Sequence, residues 1–408
     1  LFIIGQFEGV ADTTAVSIGS QVMHMLTVMI VGLAMGTTVS IGQAIGANDK
    51  RRAANAIGNT VTLFAVVAAG MFAILLLLVN PILQVMSTPQ EAVAGTRIYL
   101  TICFVGIPFI IAYNVISSIF RGLGDSKSPM YFIAIACVIN IALDYLFMGA
   151  FHMGAAGAAL GTTLSQAVSV VISLFMIRKK KMGIALKKQN LRPKRRVMGQ
   201  ILNIGVPVAL QDGFIQVAFL VITIIANRRG LNQAAAVGIV EKIISFLFLV
   251  PSSMLSSVSA LAAQNIGAGK KSRAWKGFYT AIITGCSVGI IIFMVGFFGG
   301  GVLSSFFTND SEVIAQSAAY LKGFSADCIL TCVLFSSIGY FNGCGKSIPV
   351  MIQGITSAFC IRIPVSIIMS RLPETSLTYV GMATPITTVY GIIFFVICFR
   401  LLNKNSAK

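Results

Sequence analysis

The chain has 408 residues, 56% of them hydrophobic and 10% charged, with a mean hydropathy of +0.90. Soluble domains carry about 25% charged residues, so this polar surface is too small to coat two or three water-facing domains. The net charge of +18 is gathered in short runs between long apolar segments. That is the pattern of basic loops flanking membrane spans, not of an arm for nucleic acid.

A spanning helix needs about 20 mostly apolar residues. After an apolar stub at residues 1–7, which lacks the basic flank of a secretory signal, such stretches fall at 13–42, 54–80, 94–119, 129–151 and 154–177. Six more follow at 200–226, 235–262, 277–303, 313–340, 349–370 and 379–402. The reading is an all-α polytopic membrane protein with eleven full spans.

Loop charge sets the orientation. Lys50, Arg51 and Arg52 share a side with Arg121 and Lys127, and with the dense run Arg178, Lys179, Lys180, Lys181, Lys187, Lys188, Arg192, Lys194, Arg195 and Arg196. Lys270, Lys271, Arg273, Lys276, Lys346, Lys404 and Lys408 fall on that side too. The alternate loops hold Glu8, Asp12, Glu91, Arg97, His152, Asp310, Glu312, Arg371 and Glu374, with Arg228-Arg229 as the exception. The first group is expected in the cytoplasm of a cell whose plasma membrane holds the protein, its basic run lying against anionic headgroups.

The chain repeats itself. Gln43-Ala-Ile-Gly-Ala-Asn-Asp-Lys-Arg-Arg-Ala53 matches Gln264-Asn-Ile-Gly-Ala-Gly-Lys-Lys-Ser-Arg-Ala274, and Phe120-Arg-Gly-Leu-Gly-Asp-Ser126 matches Phe341-Asn-Gly-Cys-Gly-Lys-Ser347. Tyr99-Leu100 with Tyr320-Leu321, and Ala15-Val16 with Ala236-Val237, keep the same spacing of 221 residues. Polar loops repeating at one constant offset mark two homologous halves of parallel topology, each of six helices. The expected organisation is an N-terminal lobe at 1–177, a basic cytoplasmic linker at 178–199 and a C-terminal lobe at 200–408. The counterpart of Ile204-Gly-Val-Pro207 would precede Leu1, so the first helix is expected to be cut short and the intact protein to have twelve spans.

Soluble-enzyme chemistry finds little footing. The eight cysteines lie in or beside apolar segments with no CxxC pair and read as reduced core residues. His24 and His152 have no ligand spacing, and no metal cluster or P-loop is present. Gly122-Leu-Gly124 and Gly343-Cys-Gly345 lack a preceding strand and read as loop glycines, not nucleotide cradles.

Chemistry is sought in the ionisable residues within spans, since each costs at least about 2.5–3.5 kcal/mol there and faces a cavity or a partner. Asp144 follows Asn140 by four, placing both on one face of the fifth helix. Their oxygens suit a proton or a hard cation such as Na⁺, and a structural interhelical hydrogen bond is the alternative. Asp327 stands where the first half has Gly106, and Asp212 follows Gln211 past Pro207. Glu241 either serves a second-half site or pairs with adjacent Lys242. Arg362, just before Pro364, reads as a partner for freed carbonyls. Pro108, Pro207, Pro251 and Pro364 are expected to kink their spans or mark cavity-lining turns. Thr162, Thr163, Tyr99 and Gln166 offer neutral hydrogen bonds, or simply helix glue.

Taken together, the Gln-Ala-Ile-Gly-Ala and Gln-Asn-Ile-Gly-Ala loops, Phe120-Arg-Gly-Leu-Gly-Asp125, Asn140-Ile-Ala-Leu-Asp144 and Ile204-Gly-Val-Pro207 resemble the multidrug and toxic compound extrusion (MATE) family over essentially the whole chain. The resemblance implies a V-shaped pair of six-helix lobes around a cavity. It also implies export of amphipathic, often cationic, compounds driven by inward flow of H⁺ or Na⁺. In that family an amino-lobe cluster includes the Asn and Asp of the fifth helix, matched by Asn140 and Asp144, and Tyr99 and Thr162 look similar to its hydrogen-bonding neighbours, with Thr163 a further candidate from its own place beside Thr162. A glutamate of another branch, eight residues past the seventh-helix Pro, is Ile215 here. A second-half site would therefore have to use Asp327, Asp212, Gln211 or Glu241.

The expected function is a cation-coupled secondary antiporter, not an enzyme, with no cofactor beyond the coupling ion and no nucleic-acid partner. Its partners would be a drug-like molecule and membrane lipids, and a single chain would be the working unit. The alternative is a lipid-linked oligosaccharide flippase of the same superfamily, which calls for a basic cavity; Arg362 is the basic residue placed mid-span. An intramembrane enzyme would need a nucleophile–base pair or a metal cluster that the two isolated histidines do not supply.

Overall fold

The computed structural model describes residues 2–86, 88–179, 184, 186–227, 231–308, 310–370 and 377–406. Leu1, Lys180, Lys181, Arg228, Arg229, Arg371, Glu374 and Lys408, which carry part of the expected stub and loop-charge pattern, lie outside the described residues. Within lipid, a helix satisfies its own backbone N–H and C=O groups. Every regular element among the described residues is helical.

The first compact unit spans Leu1–Ala209. It holds α1 (Phe2–Phe7), α2 (Val10–Gly46), α3 (Lys50–Val85), α4 (Gln90–Val105), α5 (Ile107–Gly122) and α6 (Lys127–Asp144). A π-helical segment at Tyr145–Ala150, then α7 (Gly154–Lys179), a 3₁₀ turn at Lys188–Leu191 and the start of α8 (Arg195–Asn227) complete it. The second unit, Leu210–Lys408, takes the rest of α8. It continues with α9 (Leu231–Leu247), α10 (Leu249–Gly267), α11 (Lys271–Ser305), α12 (Ser311–Phe324) and α13 (Asp327–Gly343). Then come α14 (Ser347–Thr356), a π segment at Ser357–Arg362, α15 (Ile363–Ser370) and α16 (Leu377–Ser406). Among the described residues nine helical stretches are long and apolar enough to cross a bilayer. The bent pairs α4–α5 (48°) and α12–α13 (46°) bring the number to eleven. They coincide with the eleven expected spans, and the chain is a multi-pass membrane protein.

The repeat is built into the helix ends. Gly46 and Gly267, Lys50 and Lys271, Gln90 and Ser311, and Gly122 and Gly343 close or open corresponding helices, each pair 221 residues apart. The turns also agree. Asn48 (φ 54) matches Gly269 (φ 72), and Gly124 (φ 88) matches Gly345 (φ 75). After α5, the Leu123, Gly124 and Asp125 amides donate to the Ile119, Arg121 and Phe120 carbonyls. After α13, those of Cys344, Gly345 and Lys346 donate to Tyr340, Asn342 and Phe341 in the same order. The Gly-x-Gly motifs thus serve helix termination, with the second glycine supplying the left-handed conformation that stops a helix.

The first glycine of each motif serves close approach instead. A Cβ at Gly122 would stand 2.9 Å from the Thr38 carbonyl oxygen, and one at Gly343 would stand 2.6 Å from that of Ser259. Small interface residues let apolar helices meet where lipid offers no hydrophobic drive. Large side chains point the other way: Leu77 is 81% exposed and Phe298 75%, a surface suited to acyl chains. Cys137 and Cys360 are exposed. The expectation that all eight cysteines are core residues therefore fails for these two, because neither is covered by a neighbouring helix.

Three of the four expected prolines sit just past a helix break: Pro108 after the bend at Gly106, Pro251 after the α9–α10 break at Phe248, and Pro364 after the π segment, while Pro207 lies within α8. The α12–α13 bend has no proline. There the Leu321 carbonyl accepts from the Ser325 hydroxyl (2.5 Å) as well as from the Ser325 amide (2.8 Å), the hydroxyl back-bonding that often bends a helix, two residues before Asp327.

Candidate functional site

In the first unit, α6 runs apolar from Lys127 until Asn140 and Asp144, then changes to π geometry at Tyr145. The Asn140 amide Nδ2 donates to Asp144 Oδ1 at 3.4 Å, a long bond between two half-buried groups. Gly161 of α7 faces this pair. A Cβ there would run into Asp144 Oδ1 and stand 3.5 Å from Asn140 Nδ2. The glycine therefore makes the room in which the carboxylate sits.

Tyr99 of α4 is buried, its ring lying on Gly19 of α2, which has no side chain to displace it. The Tyr99 phenol lies beside the Cys103 thiol and within electrostatic range of Asp144. Thr163 lies near Cys103 and packs on Gly106, where α4 bends into α5. Asp144, Asn140, Tyr99 and Thr163 therefore share one region formed by α4, α6 and α7. The Thr162 hydroxyl donates to the Ala158 carbonyl of its own helix at 3.0 Å.

Two acids placed in loops by the sequence reading hold this region from one end. Glu8 Oε1 accepts from the Gly154 amide and Asp12 Oδ1 from the Ala155 amide, both at 3.1 Å. These are the first amides of α7, the orphan donors that a carboxylate satisfies well. Gly154 has φ +54 with the Asp12 carboxylate against it, so the turn before α7 closes over that side chain.

The second unit assembles a different group. Asp327, fully buried at the start of α13, accepts from the Thr331 hydroxyl at 2.7 Å. Arg362 and Tyr320 lie within its electrostatic range, and Glu241 lies within range of Tyr320. The Arg362 guanidinium stands over the Phe219 ring, 4.7 Å from its centroid. Arg362 thus faces an acid and an aromatic ring, which its expected role as a partner for carbonyls did not anticipate. Gln211 is buried on α8 against Gly354, with Asp212 beside it and partly buried. Lys242 is exposed while its neighbour Glu241 is half-buried.

Sequence reasoning missed Cys103, Gly161, Glu8 and Asp12 as parts of these sites. The spacing Tyr99–Cys103, one turn of α4, carried a signal for the first. Nothing local in sequence distinguishes Gly161 from any other small residue of a packed helix.

A family model described as MatE matches residues 1–146 and 207–368. The probable multidrug resistance protein YpnP of Bacillus subtilis is 29% identical over 90% of this chain and 82% of its own length. The multidrug export protein MepA of Staphylococcus aureus is 24% identical over 91% of this chain and 82% of its own. Among solved structures, a MATE in the straight conformation superposes with a TM-score of 0.92 at 19% identity, covering 100% of this chain and 91% of that one. A multidrug resistance MATE family transporter of the MOP superfamily, outward-facing, gives 0.92 at 20%, covering 98% and 90%. These structural likenesses establish the fold.

Proposed function

Because the chain belongs to the MATE family, we propose that it is a secondary transporter that exports drug-like, amphipathic molecules by alternating access, driven by inward flow of H⁺ or Na⁺ through its first half. The observation that carries the reading is the half-buried Asp144 carboxylate, held beside Asn140 and Tyr99 in the space Gly161 leaves. A carboxylate inside a span is costly unless a cation or proton neutralises it. Asn140 and the carboxylate oxygens offer the hard ligands that either would take. Cation binding in one conformation and release in the other shifts the balance between the two states, and substrate export is coupled to that shift.

The proposed setting is the cytoplasmic membrane with the basic loops inside the cell, the chain working as a monomer without a further cofactor. The names of YpnP and MepA support the drug-export reading. The flippase alternative asks for several basic side chains lining one half. In the second unit Arg362 instead faces Asp327 and Phe219. The test is dye efflux from proteoliposomes under an imposed H⁺ or Na⁺ gradient. Efflux that follows neither gradient would remove the coupled-antiport reading.

A further inference from the structure

The linker between the halves folds onto α3 over a polar stripe that the repeat does not explain. Asn55, Gly58, Asn59 and Thr62 are spaced i, i+3, i+4 and i+7, so they form one face of α3. Asn190 Nδ2 donates to Asn55 Oδ1 at 2.9 Å, and Asn59 Nδ2 to the Asn190 carbonyl at 3.2 Å. The Thr62 hydroxyl donates to the Leu191 carbonyl at 2.7 Å. The Lys194 amide donates to Asn59 Oδ1 at 2.6 Å, and its Nζ to Asn55 Oδ1 at 2.7 Å. Gly58 lets the Asn190 backbone lie directly on the helix, since a Cβ there would meet the Asn190 carbonyl. The segment braces itself as well: the Lys187 amide donates to Asn190 Oδ1 at 2.9 Å.

The corresponding face of α11, 221 residues later, carries Lys276, Tyr279, Thr280 and Ile283, all exposed. The stripe is therefore an addition to the first half, not a requirement of the helical repeat. A free loop would satisfy the charge rule for sidedness without it. What docking adds is orientation. With the linker's polar backbone turned to α3, Lys187, Lys188 and Arg192 project outward beside Leu186 (49% exposed) and Leu191 (46% exposed). Lys50, Arg51 and Arg52 stand exposed at the adjoining end of α3. Cations interleaved with exposed leucines at the end of spans are the composition of an element that lies in a bilayer interface.

We infer that the docked 186–194 segment is a lipid-binding platform, in which Lys187, Lys188 and Arg192 take the headgroups of anionic phospholipids of the surrounding bilayer while Leu186 and Leu191 enter the acyl region. Basic side chains near an anionic surface are drawn to it, so three exposed cations on this docked segment favour anionic over zwitterionic lipid.

The experiment uses the full chain with Trp275→Phe and Leu191→Trp, which leaves one tryptophan. The protein is placed in nanodiscs containing brominated phosphatidylglycerol or, at the same fraction, brominated phosphatidylcholine. Quenching of the tryptophan is expected to be about two-fold or more stronger with the brominated anionic lipid. Lys187→Gln, Lys188→Gln and Arg192→Gln together should abolish the difference without moving the melting temperature in detergent. Asn55→Ala with Asn59→Ala should weaken quenching by both lipids. Equal quenching by the two lipids, no quenching, or loss of the preference on adding glycerol phosphate in water would overturn the proposal. The readout is contact, not transport, so its outcome is independent of the export reading.

Discussion

Asn140 and Asp144 meet at 3.4 Å across one turn of α6, immediately before the helix turns to π geometry, and Gly161 leaves the space that the carboxylate fills. The long bond leaves the carboxylate oxygens with capacity for a further ligand, and the glycine makes the room in which the carboxylate sits.

Gly161→Ala should therefore damage coupling more than stability. The new methyl meets the end of a flexible side chain, so the fold accommodates it by moving Asp144. Coupling free energies run about 1–3 kcal/mol, so gradient-driven efflux is expected to fall about five-fold or more. Measuring efflux beside a melting curve checks this; wild-type efflux would show that the position of the carboxylate does not matter.

The two halves should respond alike to changes in their shared motif. Gly343→Ala places a methyl 2.6 Å from the Ser259 carbonyl oxygen, an overpacking expected to cost about 1–3 kcal/mol. Gly345→Ala forces an alanine to φ 75, at about 1–2 kcal/mol. Gly122→Ala and Gly124→Ala should give losses of the same order, read as lowered melting temperatures.

The clamp on α7 gives a third expectation. Asp12→Ala removes an acceptor from the first turn of α7 and should cost about 0.5–2 kcal/mol. Asp12→Asn, which keeps an acceptor oxygen, should recover much of that. Equal melting temperatures for the two variants would mean that the Ala155 amide finds another partner.

Much of this architecture was legible before any coordinates. Polar loops such as Gln43–Ala53 and Gln264–Ala274 cannot repeat through hydrophobicity alone, so their offset located corresponding helix ends that the structure reproduces to the residue. Asn140 and Asp144 were legible because spacing by four on a helix and the cost of charge in lipid are both local facts. The rest depends on which helices become neighbours. Gly161 matters because α7 lies against α6, and Asn55 and Asn59 matter because the linker returns to α3. The bend before Asp327 was hidden for a different reason: it falls at Ser325, whose hydroxyl back-bonds to the Leu321 carbonyl, where the sequence reading looked for proline.

In the second unit, Arg362 and Asp327 should behave as a coupled pair. Arg362→Gln leaves the buried Asp327 carboxylate without its nearby cation and should lower stability. Adding Asp327→Asn should restore part of the loss, with an interaction energy of about 0.5–3 kcal/mol. Strict additivity of the two changes in melting free energy would show that they do not act on each other.

Asp144 carries the central claim, and the most direct measurement is ion-driven dye efflux from proteoliposomes containing Asp144→Asn, with expression and melting temperature followed in parallel. The amide keeps size and hydrogen bonding but cannot exchange charge, so efflux should lose its response to the H⁺ or Na⁺ gradient while the protein melts near the wild-type temperature. Asn140→Ala, which removes a neutral ligand, should weaken the same response less. Gradient-driven efflux at the wild-type rate from Asp144→Asn would contradict the account and leave Asp144 a structural hydrogen-bonding residue.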